Sequence, residues 1–386
     1  MIGFRAPGRV NLIGEHVDYA GGLVLPAALE QGVVLRGVPR ADRVVRLTSA
    51  AFGDPATVEL DAPATPQTGW ARYAAAVVVE LRSLGVPLVG FEGIVESDLP
   101  SGSGLSSSAA LELALAGGLA LAAGYELAGL ELAQLGQRAE HRAVGVPCGI
   151  MDQAASALAT SGHALLLDCD TLMHRLVPLP PDLVLGVLGT GVNRRLEDSD
   201  YDVRRVELER ALAALPPGSA RRDPEGTLER AAASGIEGAA FRRLRHVVRE
   251  NARVAAVVEA LEQPGGADRG ALGRIFAEGH ASLRDDFEVS IPELDLLVEL
   301  AGEEGAVAAR MTGGGFGGAI VTLLDVATAE GDCRSHRRSL RSAHGFARTD
   351  VGGRRRSRCG ADRDFRRHVA LSSADDRARL KGQALC

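Results

Sequence analysis

Lysine is almost absent from this 386-residue chain: its one lysine is Lys381, and arginine carries the rest of the basic charge. That excludes a P-loop, whose Lys follows the last glycine of the phosphate-binding turn. The excess of Arg, beside heavy use of Ala and Gly, reads as the codon bias of a GC-rich genome. Cysteine is also scarce. The five cysteines (Cys148, Cys169, Cys333, Cys359, Cys386) are odd in number and form no C-x-x-C pair. This excludes a disulfide framework or zinc cluster and points to reduced thiols and a cytoplasmic protein. No run of about 20 residues is free of polar groups, so no transmembrane helix is expected. Met1-Ile2-Gly3-Phe4-Arg5 lacks the charged-then-apolar order of a signal peptide. A net charge of −7 argues against a nucleic-acid binder overall. The hydrophobic share of 46% and charged share of 24% suit a soluble globular protein, and the length suggests two or three domains.

The stretch that organises the chain is Pro100-Ser101-Gly102-Ser103-Gly104-Leu105-Ser106-Ser107-Ser108-Ala109-Ala110. An apolar segment, Phe91 to Val95, leads into it, and an Ala/Leu-rich run, Ala109 to Ala123, follows. This is the layout of a strand, a glycine-rich turn and a helix N-terminus. The first helical turn offers unpaired N–H groups and the positive end of the macrodipole, so the turn suits the phosphates of a nucleotide. The serine hydroxyls add partners for phosphate oxygens or a divalent ion. Gly and Ser are also ordinary loop and N-cap residues, and that reading stays open.

Before the loop, Arg9 lies in an apolar stretch where an unpaired guanidinium is costly, which predicts an anionic partner. Val10, Leu12 and Ile13 read as a short strand broken by Gly14. Glu15, His16 and Asp18 then crowd three polar groups together. They suit sugar hydroxyls, although plain surface polarity explains them as well. Residues 32–60 alternate in the manner of strands of a mixed sheet, Ala62 to Thr68 is a Pro/Thr loop, and Trp70 to Leu84 is a helix.

After the loop, helices are expected at about Leu105–Ala123 and Ala128–Arg142. Glu140, near the end of the second, is either a surface acid or a magnesium ligand with Ser108. Asp152 follows the bend at Pro147 and Gly149. Its apolar neighbours Ile150 and Met151 suggest a semi-buried acid suited to general-base work, or simply a carboxylate favourable at a helix N-terminus. Apolar strands are expected at Ala164–Asp168 and Leu183–Leu188, the second ending at Gly189-Thr190-Gly191 near a domain boundary. A helix runs from Val203 to Leu215, and Gly218 to Gly238 is an irregular or short helical connection. Helices at Phe241–Glu262, Gly270–Phe287 and Pro292–Glu303 lead to Arg310-Met311-Thr312-Gly313-Gly314-Gly315-Phe316-Gly317-Gly318 and a strand, Ala319 to Leu324. Embedded glycines between a helix and a strand suit close approach of the backbone to a ligand.

From Gly331 onward the character changes. Residues 331–386 hold fourteen Arg and one Lys against six Asp and no Glu, a net of +9, whereas residues 1–330 carry −16. Helical and strand periodicity both stop. We read this tail as the product of a shifted reading frame beginning near residues 325–335. A basic arm for nucleic acid is the alternative.

Three separated stretches together resemble the GHMP sugar and metabolite kinases and, within them, the galactokinases. Gly8-Arg-Val-Asn-Leu-Ile-Gly-Glu-His-Val-Asp-Tyr19 is similar to the galactokinase signature, Pro100–Ala110 to the phosphate loop, and Thr312–Gly318 to the third glycine-rich motif. The resemblance implies an α+β, two-domain GHMP kinase fold. Residues 1–180 would form a ribosomal-S5-like domain and 181–330 a ferredoxin-like domain, with the active site between them and 331–386 as tail. It implies ATP- and Mg2+-dependent phosphorylation of a sugar 1-hydroxyl, by a cytoplasmic monomer with no nucleic-acid or membrane partner. Asp152 would be the base, and Arg9 would steady the transition state and keep that base ionised. Glu15, His16, Val17, Asp18, Gly149 and Tyr201 would bind the sugar. Ser49 and Gly102, Ser103, Gly104, Leu105, Ser106, Ser107 and Ser108 would hold the nucleotide, and Ser108 and Glu140 the metal. Val17 stands where the family has Thr, and Asn193-Arg194-Arg195 replaces Arg-His-Ser. The tail lacks the family's closing elements. A kinase for N-acetylgalactosamine or arabinose, and a catalytically silent sugar-sensing relative, are the other functions considered.

Overall fold

The computed structural model describes residues 1–61, 69–100, 104–145, 148–192, 198–216 and 218–326. The loop at 62–68, Ser101-Gly102-Ser103, Val146-Pro147, Asn193-Arg194-Arg195 and the basic tail with its proposed frame shift lie outside the described residues.

The first half of the chain runs β1 (Ile2–Asn11), β2 (Leu23–Val24), β3 (Pro26–Arg40), β4 (Val44–Ser49), β5 (Gly53–Glu59), α1 (Ala71–Ser83), β6 (Gly90–Ser97), α2 (Ser107–Ala122), α3 (Gly129–Val144), α4 (Met151–Leu158), β7 (His163–Asp168) and β8 (His174–Pro178). Five of these strands form a mixed sheet in the order β1-β3-β6-β4-β5, antiparallel except for β4 beside β6. β6 shows why: Phe91, Gly93 and Val95 are buried while Glu92, Ile94 and Glu96 face water, the period of a sheet with one covered face. α2, apolar on all sides, packs against β1 and β3 and is sheltered by α1, α3 and α4. It can approach because Gly117 has no side chain: a Cβ there would lie 2.3 Å from the Phe4 ring. β2, β7 and β8 form a second, antiparallel sheet.

The second half runs β9 (Leu183–Gly189), α5 (Asp198–Ala213), α6 (Ser219–Arg222), α7 (Pro224–Ala233), α8 (Gly238–Leu261), α9 (Arg269–Ser282), α10 (Pro292–Glu303), β10 (Ala308–Thr312) and β11 (Ala319–Asp325). Its strands pair antiparallel in the order β10-β11-β9. A ferredoxin-like sheet has four strands, and three lie among the described residues. One apolar cluster joins the halves, with Val10 and Leu25 in the same core as Val254, Val257 and Val321.

Several elements differ from the sequence reading. β1 begins at Ile2 rather than near Val10, because pairing with β3 extends from Gly37 to Pro26. β8 and β10 are additional strands. Residues 218–238 hold two short helices, the second capped by Asp223, whose carboxylate accepts from the Gly226 amide, with Pro224 at its first turn. α9 ends at Ser282 and passes into one π-helical turn, Leu283–Phe287.

Candidate active site

Arg9 stands where the β1–β3 register slips between Pro7 and Arg9, an irregularity that redirects the side chain. It is 5% exposed and fully engaged. Nε donates to Asp152 Oδ1 at 2.7 Å, Nη2 to Asp152 Oδ2 at 2.8 Å, and Nη1 to the Gly104 carbonyl at 2.7 Å. The anionic partner expected for a guanidinium in an apolar stretch is therefore Asp152, in the first turn of α4 and 28% exposed at its side chain. The planar fork matching a carboxylate at two points fixes orientation as well as charge. Arg9 N also donates to the Leu105 carbonyl at 3.2 Å, so one residue pins both the acid and the exit of the glycine-rich loop.

The loop meets α2 at Ser106, whose φ of 57° lies in the left-handed region. Such a conformation costs a non-glycine residue about 1–3 kcal/mol and gathers at functional sites. Here it turns the Ser106 hydroxyl onto Asp152 Oδ2. Ser107 opens α2 exposed to solvent and Ser108 is half-buried beside it. The first N–H groups of α2 lack ladder partners and suit an anion. Gly104, Leu105, Ser106, Ser107 and Ser108 thus surround one helix N-terminus, while Gly102 and Ser103 lie outside the described residues. Ser49 ends β4, and its hydroxyl accepts from the amides of Ala51 and Phe52, a turn-closing role.

Ser108 Oγ donates to Glu140 Oε1 at 2.9 Å, so α2 and α3 bring together the pair expected to hold magnesium. A hydroxyl and a carboxylate beside a helix N-terminus fit that ion, which takes few protein oxygens and completes its shell with phosphate and water. Among the described residues no group of three or more His, Cys, Asp or Glu could hold a metal alone. Behind the pair, Gln153 Nε2 bridges Glu140 and Glu112. Glu112 is fully buried, and burial first and the Glu140 charge second push its carboxyl well above the usual range.

The loop between β1 and β2 carries the residues expected at the sugar. Asp18 opens a 3-10 turn, Asp18–Ala20. Burial, and next the Asp152 charge, raise its carboxyl to about 6. Gly149 packs against it so closely that a Cβ would lie 1.8 Å from Asp18 Oδ2. The His16 ring stacks on Phe287 at 4.4 Å, lies 5.6 Å from Tyr201, and Nδ1 meets the Tyr19 hydroxyl at 3.1 Å. Glu15 is buried, with Oε2 accepting from Arg310 Nη2 at 2.7 Å and Oε1 without a hydrogen-bond partner among the described residues. Burial raises its carboxyl to about 7; Arg310 opposes the rise and Glu250 adds to it. Val17 lies between His16 and Asp18 in the same loop. Its side chain lies wholly in the apolar core with Val24 and Ile150, and its carbonyl is taken by the Ala20 and Gly22 amides. In this position it shapes the loop.

A polar cavity of about 410 Å³ opens beside this loop, lined by Asp18, Tyr19 and Gly149 and also by Gln134, Gln137 and Arg205. The last three were not singled out from sequence. The signal was the spacing of Gln134, Gln137 and Glu140, which places them on one face of α3. Gln137 Nε2 at 3.1 Å and His141 Nε2 at 2.9 Å hold the Cys148 carbonyl, steadying the approach to Gly149. A mainly apolar cleft of about 470 Å³, lined by Phe4, Leu113 and Tyr125 among others, contains none of the candidate site residues.

A lysine-free anion cradle at a helix N-terminus, facing an Arg–Asp pair, on two α+β halves is the arrangement of a GHMP kinase. The profile for the GHMP kinases N terminal domain matches residues 72–160, that for the GHMP kinases C terminal matches residues 257–340, and the galactokinase galactose-binding signature matches residues 2–37. A galactokinase of Chloroflexus aggregans is 44% identical over 327 residues, 83% of each chain. One of a Roseiflexus species is 42% identical over 331 residues, 84% of each. Among solved structures, a Lactococcus lactis galactokinase complexed with galactose is 32% identical, with a TM-score of 0.82 over 89% of this chain and 91% of that one. A mevalonate kinase, 18% identical with a TM-score of 0.62 over 89% of this chain and 96% of that one, shares the fold. The chain belongs to the galactokinase family of the GHMP kinases, and is a sugar kinase.

Proposed function

We propose that this chain transfers the γ-phosphoryl group of ATP to the 1-hydroxyl of galactose, with Mg2+, in the cytoplasm, and that residues 1–180 and 181–330 are its two domains. The observation that carries the proposal is the Arg9–Asp152 pair, held at 2.7 and 2.8 Å beside the N-terminus of α2. Asp152 accepts the hydroxyl proton as the nucleophile forms, and Arg9 holds that carboxylate in place and places positive charge where the phosphoryl group passes. Phosphoryl transfer asks chiefly for positioning and charge neutralisation. Backbone amides at the start of α2 receive the phosphates. Bound at Ser108 and Glu140, magnesium supplies charge neutralisation on phosphate oxygens.

Asp18, His16, Glu15, the Gly149 main chain and Tyr201 are the proposed sugar partners. The named relatives and the L. lactis complex support galactose as the substrate. The test is a panel of sugars with ATP and Mg2+ on the purified chain, including N-acetylgalactosamine and arabinose. Galactose is expected to give the highest kcat/KM; a higher value with another sugar, or equal ATP turnover without sugar, overturns the reading.

A further inference from the structure

One side of the loop that carries Glu15 is held by groups from the second half of the chain. On α8, His246, Glu250 and Asn251 face it. His246 Nε2 lies 3.0 Å from the Glu15 carbonyl and Nδ1 lies 2.9 Å from Ser282 Oγ. A carbonyl only accepts, so the Nε2 hydrogen points at Glu15, while Nδ1 and Asp286 Oδ2, at 3.2 Å, compete for the single Ser282 hydroxyl hydrogen. Burial lowers the imidazole to about 4, which leaves it neutral. Glu250 Oε1 accepts from the Gly14 amide at 3.0 Å, and Asn251 Oδ1 from the Leu23 amide at 2.7 Å. The main chain is thus gripped before, at and after the sugar-binding segment.

The side chain of Glu15 is gripped as well. Arg310, on β10 and 0% exposed, reaches both Glu15 Oε2 at 2.7 Å and Glu250 Oε1 at 2.6 Å through Nη2. Glu250 Oε2 accepts from Arg253 Nε at 2.7 Å. Two carboxylates and two guanidiniums therefore meet with no water-facing member. The guanidinium of Arg310 packs against α9, where a Cβ on Gly279 would fall 2.4 Å from Nη1. Two residues on, Thr312 Oγ1 donates to the Asn11 carbonyl at 2.9 Å and accepts from its amide at 3.2 Å, so β10 is also fastened to the end of β1.

We infer that Arg310 and His246 are positioning residues for sugar recognition: from the second half of the chain they hold the side chain and main chain of Glu15 and so fix the loop that carries His16 and Asp18. This rests on the proposed reading of His16 and Asp18 as sugar partners. Neither residue touches the phosphate cradle or the Arg9–Asp152 pair. Their loss therefore acts on sugar binding and spares the nucleotide.

The test compares wild type with Arg310→Lys, His246→Ala and His246→Gln as full chains, reading thermal stability, KM for galactose and KM for ATP. Wild-type turnover of galactose is checked first, so failure of the functional reading is seen separately from failure of this inference. Arg310→Lys and His246→Ala are expected to raise KM for galactose at least fivefold with KM for ATP within twofold. His246→Gln, which restores a donor to the Glu15 carbonyl, is expected to return KM towards wild type. Should the Arg310 variant fail to fold, the His246 pair decides. A folded variant of lower stability with unchanged KM for galactose overturns the inference, as does an equal rise in both KM values.

Discussion

Two clusters of opposite charges lie a few residues apart on β1 and the loop after it, and they behave differently. At Arg9 and Asp152 one guanidinium meets one carboxylate, and the acid stays 28% exposed at its side chain. At Glu15, Glu250, Arg253 and Arg310 the charges are sealed in. There, burial and Arg310 pull in opposite directions and leave the two acids unequal. Glu15 rises to about 7. At Glu250 burial also pushes upward, but Arg310 and Arg253 outweigh it and hold its carboxyl well below the usual range. A buried ionic cluster adds little net stability over apolar packing, and loss of one member is costly because it strands the others. The open pair is suited to chemistry, since a ligand can reach it. The closed cluster is suited to holding geometry.

The comparison can be broken most sharply at the open pair. Arg9→Met removes both contacts to Asp152 and the bond to Gly104. By the precedent of a lost preorganised donor, kcat is expected to fall about 10²–10³-fold. Initial rates, with circular dichroism to confirm folding, check this; a loss of less than fivefold separates the pair from catalysis.

Gly149→Ala is the next step. The added Cβ would overlap the Asp18 carboxylate at 1.8 Å, so the loop must move by a strain of about 1–3 kcal/mol. A rise of about tenfold in KM for galactose is expected with KM for ATP unchanged. An unchanged KM for galactose places the sugar elsewhere.

The smallest effect is in pH. Asp18 at about 6 and Glu15 at about 7 both lie above their unfolded values. The folded state keeps protons that the unfolded chain has released. Their contribution to stability is therefore full below about pH 4 and is lost as pH rises through 6 and 7. Thermal melts of the sugar-free protein should decline over that window, less so for Glu15→Gln. Sugar affinity should run the other way, because an ionised Asp18 accepts a hydroxyl and a protonated one competes with it. KM for galactose is expected to fall severalfold from pH 5 to pH 7, and a flat profile contradicts the assigned role of Asp18.

Much of this was legible locally. The need of Arg9 for a counter-charge, the half-buried setting of Asp152 and the strand–loop–helix around Gly104 all follow from residues within a few positions of each other. Pro292–Glu303 matched its observed helix because a proline at the first turn and an apolar stripe mark both its start and its face. β8 was hidden because, of its five residues, only Val177 is buried, so no alternation shows. The Glu15–Arg310 contact joins residues 295 positions apart, and no local pattern announces it. Val17 entered the sugar set only through the family resemblance. Only the fold reveals that its side chain turns inward.

The most direct measurement is made on Asp152→Asn, which keeps the shape of the side chain and removes its ability to take a proton. Galactose binding by calorimetry and single-turnover phosphorylation are measured on the same preparation. The account predicts binding within a few fold of wild type and phosphoryl transfer slower by about 10²–10⁴-fold. Transfer at a rate close to wild type, with galactose bound normally, would contradict it.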